Sequence, residues 1–106
     1  MARLAMEANF QYVPIASDVI PLIASLVAPA PATARFIDIC AGEGEAAAQL
    51  AAAWSIGRDQ LYLNELADGR MARCTRFTDH VLGADAIRAL QISRNTFQIA
   101  WTNPPF

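Results

Sequence analysis

Gly42, Glu43, Gly44 and Glu45 follow directly on an apolar run, FIDIC at residues 36–40, and open an alanine-rich stretch. Glycines so placed let the backbone approach a ligand closely, and the N-terminus of a following helix offers it N–H groups. Gly42-x-Gly44-x-x-Ala47 fits the dinucleotide pattern G-x-G-x-x-A, with Glu65 at about the distance where a carboxylate holds ribose hydroxyls. The neighbouring carboxylates change the expected ligand. Asp38, Glu43 and Glu45 around one turn repel a pyrophosphate and suit a phosphate-free ligand with a cationic centre. Taken alone, the glycines also fit a turn that merely joins strand to helix. Further along stand Asp85-Ala86 and the closing Asn103-Pro104-Pro105-Phe106. On its own the latter reads as a turn after a strand.

These residues need a scaffold of alternating strands and helices. Residues 1–16 form an N-terminal arm. Ser17 or Asp18 caps a helix with Pro21 in its first turn, and Val19, Ile20, Ile23, Leu26 and Val27 make an apolar stripe at helical spacing. The APAPATA segment, 28–34, is a stiff loop. Strands are expected at 35–40, 61–65, 80–83 and 96–102. Helices are expected at 45–54, at 66–78 with Leu66, Met71, Cys74 and Phe77 inward, and briefly at 86–91. Strands alternating with helices mean an α/β fold with a parallel sheet and a ligand site at the carboxyl ends of its strands.

Composition narrows the class. The chain has 106 residues, 55% of them hydrophobic and 17% charged. That fits one folded domain, 1–106, and argues against a disordered chain. A net charge of −2 gives no overall attraction to nucleic acid. All eight basic residues are Arg. Cys40 and Cys74 make neither a metal spacing nor a disulfide framework, so no metal is expected and the compartment reads as cytoplasmic. Residues 1–11 lack the apolar core of a signal peptide, and the run at 19–28 is too short to span a bilayer, so no membrane contact is expected. Arg70, Arg73 and Arg76 fan around the helix expected at 66–78 as a solvated face or a small nucleic-acid patch. His80 reads as the end of a loop, and Trp54 and Trp101 as core or interface.

Taken in order, the motifs resemble those of class I S-adenosylmethionine-dependent methyltransferases of the amino-methylating branch, which act on adenine N6, cytosine N4 or glutamine amide nitrogen. Asp38-Ile39-Cys40-Ala41-Gly42-Glu43-Gly44 is similar to their first motif. Glu65 stands where the family binds both ribose hydroxyls, and Asp85-Ala86 resembles the pair that reads the cofactor's adenine. Asn103-Pro104-Pro105-Phe106 is similar to the catalytic [DNS]-P-P-[YFW] motif. Phe10 and Pro14 resemble an N-terminal aromatic-x-x-Pro segment lining the methionine end, with Val13 where the family has Thr. Glu45 replaces a third glycine of the first motif.

The resemblance implies roles and a fold. Asn103 and the Pro104 carbonyl would accept both hydrogens of a target amine, and Phe106 would stack on the flipped base or amide. The fold implied is a Rossmann-like methyltransferase sheet cut after strand four, of partial order 3-2-1-4 with flanking helices, against seven strands in a complete member. Half a pocket implies weak or vestigial S-adenosylmethionine binding. The expected function is therefore a non-catalytic methyltransferase-like remnant kept as a binding protein. Its partner would be single-stranded DNA, or a host-defence component such as restriction or CRISPR machinery opposed by a phage or plasmid. The alternatives are an active or split N6-adenine DNA methyltransferase fragment, and a cofactor-binding module with no nucleic-acid role. Strand four, apolar at 97–101, would form a sheet edge suited to a homodimer or a protein partner.

Overall fold

A computed structural model of the chain describes residues 15–27 and 31–103. Phe10, Pro14, Pro104 and Phe106, named above for two parts of the site, lie outside these residues.

An apolar run between turn signals becomes the central strand β1, Phe36–Asp38, buried at all three positions. β2 is Leu61–Asn64, β3 is His80–Leu82 and β4 is Ile99–Trp101. The sheet is wholly parallel, in the order β3-β2-β1-β4. This is the α/β arrangement expected from the sequence, in the strand order 3-2-1-4 that the resemblance implies. The strands are shorter than the apolar runs that mark them.

Among the described residues three α-helices flank the sheet: α1 at Ile20–Ser25, α2 at Glu45–Ala53 and α3 at Asp68–Cys74. A single turn of 3-10 helix, Ser17–Val19, leads into α1. Alternation along the strands sorts the side chains by face. Phe36, Leu61, Leu63, Val81, Ile99 and Trp101 point to the helical side and share one core with Leu50, Ala47 and Cys74. Trp54 closes that core by meeting Phe36 edge-on at 5.4 Å and donating its indole N–H to Ala24 O.

The opposite face carries the row Ala100, Ile37, Tyr62 and His80 in register. His80 stacks on Tyr62 at 4.2 Å, and Phe97 meets the same ring edge-on. Here the helix expected at 86–91 is replaced by one turn. Asp85 Oδ1 accepts the N–H groups of Ile87 and Arg88, and the chain then leaves helical geometry towards Asn95, at φ 57°. An irregular strap, 83–98, therefore crosses this face.

Two core expectations change as well. Of the apolar stripe on α1, Ile20 is buried and Ile23 half-buried, while Val19, Leu26 and Val27 are exposed. A six-residue helix resting mainly on α2 has one narrow contact line. Leu66 precedes α3 rather than lying inside it and is 46% exposed. Among the described residues no helix is long and apolar enough to cross a membrane.

Candidate functional site

The turn after β1 depends on two glycines. Gly42 and Gly44 sit at φ 61° and 89°, the left-handed region that side chains disfavour. At Gly44 there is a second reason. A Cβ there would lie 3.0 Å from Leu63 Cδ1 and 3.0 Å from Phe77 Cδ2, so the missing side chain lets α2 begin directly against β2 and the end of α3. Gly44→Ala is accordingly expected to cost about 2 kcal/mol, backbone strain and overpacking combined. Urea denaturation measures this, and a loss below about 0.5 kcal/mol would show that the turn relaxes freely.

Glu65, one residue beyond β2, is buried and fully engaged by the chain itself. Its Oε1 accepts the Gly42 N–H at 2.9 Å, and its Oε2 accepts the Ala67 N–H at 2.8 Å. Arg70 of α3 lies 3.3 Å from Oε2 in a shielded ion pair. The carboxylate thus clamps the glycine turn to the start of α3. Both oxygens that a ribose would need hold protein donors.

The other two arginines of the proposed patch also face carboxylates. Arg73 pairs with Glu43 at 3.0 Å and Arg76 with Glu45 at 3.5 Å. Each arginine of the trio thus meets a carboxylate of the glycine turn or of Glu65, and the local positive potential is largely cancelled.

A cleft of about 60 Å³ opens on the other side of the turn. Asp38, Cys40, Glu45, Gln49, Trp101 and Asn103 contribute to its walls, with Ile15, Ser17 and Ile20 closing the side towards α1. It has room for water or a small polar group. It is well short of the roughly 300–1,000 Å³ of pockets that bury a drug-sized ligand.

Asp38 is 2% exposed, and its Oδ1 accepts the Cys40 N–H at 3.1 Å. Burial, opposed by that hydrogen bond and reinforced by the nearby Glu65 carboxylate, raises its carboxyl from 3.8 to about 7. Burial also raises the thiol of Cys40, and pushes that of Cys74 up to about 12, so neither is primed as a nucleophile. Among the described residues no cluster of His, Cys, Asp or Glu could hold a metal.

The candidate residues therefore separate into three places. Asp38 and Asn103 share the cleft. Gly42, Gly44 and Glu65 form the closed clamp behind it. Asp85 and Ala86 stand beyond β3, where Asp85 Oδ1 caps the strap's single turn. Among the described residues the cleft is small, and each oxygen of Glu65 already holds a protein donor.

Two structural residues escaped the sequence reading. Buried Asn64 donates from Nδ2 to Ile39 O and Ala84 O, both at 2.9 Å, and accepts the Ala84 N–H at 3.0 Å. It ties the carboxyl ends of β1 and β2 to the start of the strap. Its signal was an amide at the end of an apolar strand, directly before an acidic residue. Buried Thr78 donates to Leu61 O at 2.5 Å and accepts the His80 N–H at 3.0 Å, setting β3 beside β2.

Comparison of the chain with protein-family models, with curated proteins and with solved structures finds no match.

Proposed function

We propose that this chain is a methyltransferase-like binding protein that does not itself transfer a methyl group. The observation that carries this reading is the closed Glu65 carboxylate. A group positioned to hold ribose hydroxyls instead holds the Gly42 and Ala67 N–H groups and Arg70. Turning that carboxylate wholly towards a ligand would break two charge-assisted backbone hydrogen bonds and a shielded ion pair, each worth about 1.5–3 kcal/mol when a charged group takes part. S-adenosylmethionine binding is then weak or vestigial.

The paired arginines favour a protein over nucleic acid as the partner, because phosphate attraction needs uncompensated positive charge. Leu22 and Leu26, 64% and 78% exposed and one helical turn apart at α1, suit that partner class.

A second reading, an active or split amino-methyltransferase fragment, is favoured by the presence of Asn103 and Asp38 on one cleft. Calorimetry with S-adenosylmethionine and a radiolabelled methyl assay on DNA, RNA and protein amides separate the two. The expected result is no binding tighter than micromolar and no incorporation. Sub-micromolar binding would favour the second reading in either form, and incorporation lost in Asn103→Ala would establish an active fragment.

A further inference from the structure

Among the described residues the sheet ends on β3 and β4 with no further strand beside either, and these two edges differ in chemistry. Just before β3, Asp79 is ion-paired with Arg58 at 3.0 Å, and charge beside an edge discourages an approaching strand. Along β4 there is no such guard. Residues 95–103 contain no Asp, Glu, Lys or Arg.

The hydrogen-bonding of β4 is also poised outward. In a parallel ladder, alternate residues bond to alternate neighbours. The Ile99 N–H donates to Arg35 O at 3.3 Å, and Trp101 O accepts the Ile39 N–H at 3.2 Å, so residues 99 and 101 face β1. Ala100 between them directs its N–H and C=O to the open side. It is exposed, and its small side chain stands on the face away from the helices.

We propose that a second copy of this chain occupies the edge, pairing β4 antiparallel with β4 about a two-fold axis at Ala100. The sequence of the strand is self-complementary in that register. Ala100 lies opposite Ala100, and its outward N–H and C=O exchange two bonds with the same groups of the other copy. Ile99 of each copy then lies opposite Trp101 of the other. Both are half-buried and packed on the helical core, and aromatic–β-branched pairs are among the favourable cross-strand neighbours. No charged side chain meets another, and nothing bulky stands on the axis. Two four-stranded sheets become one continuous sheet, with Trp101 and Asn103 of each cleft beside the seam. This inference is independent of the functional reading above.

Sedimentation equilibrium of the 106-residue chain from micromolar to millimolar concentration tests it. The mass should rise from 11.5 kDa towards twice that value. Ala100→Glu and Ala100→Arg each set like charges face to face on the axis and should stay at the monomer mass. An equimolar mixture of the two should associate at least about tenfold more tightly than either alone. The side chain is exposed, so both variants should keep the wild-type circular dichroism and melting profile. A wild type monomeric throughout, a dimer indifferent to both substitutions, or variants that stay monomeric when mixed would each overturn the proposal.

Discussion

Asp38→Asn is expected to raise the stability of the chain at pH 8 and to leave it nearly unchanged near pH 4. The carboxyl titrates at about 7 in the folded chain, against 3.8 for the ordinary group, chiefly because it is buried. Below the lower value it is protonated in both states and costs nothing. Between the two values the unfolded chain releases the proton while the folded chain keeps it, so stability falls as pH rises. Above about 7 the loss is complete, at about 4 kcal/mol for a difference of roughly three pH units. Asparagine keeps an oxygen for the Cys40 N–H and removes the titration. For a domain of this size the gain at pH 8 corresponds to roughly 15 °C or more in melting temperature. Urea melts of both proteins between pH 4 and 8 measure it. Parallel pH profiles would show that Asp38 is not the buried acid described here.

The same residue shows what a sequence can and cannot report. The run at 36–40 and its two glycines mark a buried strand and a tight turn, because a continuous apolar stretch with a glycine break has few other uses in an α/β chain. Alternating strands and helices made a parallel sheet legible and restricted it to few topologies, while the order 3-2-1-4 came with the family resemblance. The partners of the polar groups were not legible. The spacing from Gly42 to Glu65 is the same whether the carboxylate faces a ribose or turns back on the Gly42 N–H. Only the placement of Arg70 and Ala67 decides between them, and that follows from where α3 starts.

Apolar spacing misled where an element was short. The stripe on α1 has helical period, yet six residues resting on one helix bury a single position fully. At 86–91 the composition suits a helix, but Asp85 satisfies the first N–H groups of one turn and no later residue sustains it. Arg70, Arg73 and Arg76 do fan from one stretch as their spacing required. Their carboxylate partners lie 5 to 31 residues away, a pairing that only the packing of α3 against the glycine turn creates.

Asn64→Ala should be the most damaging substitution at a polar position, costing about 3–4 kcal/mol. Three backbone groups lose their partner at once: Ile39 O, Ala84 O and the Ala84 N–H. Asn64 is 1% exposed, so water reaches the vacated amide site poorly. An orphaned buried donor or acceptor costs about 1–3 kcal/mol, and partial relaxation of the strap keeps the sum below the simple total. Asn64→Asp separates the contributions, because a carboxylate still accepts the Ala84 N–H but offers no donor to the two carbonyls. It should also be destabilising, and less so at acid pH, where the protonated group regains one donor and buries no charge. The measurement is the urea midpoint of the three proteins at pH 4 and pH 7, with hydrogen exchange at Ala84 as a local probe. A loss under about 1 kcal/mol for Asn64→Ala would mean that the strap is anchored elsewhere. Retained stability with faster exchange at Ala84 would mean that the amide holds the strap alone and leaves β1 and β2 intact.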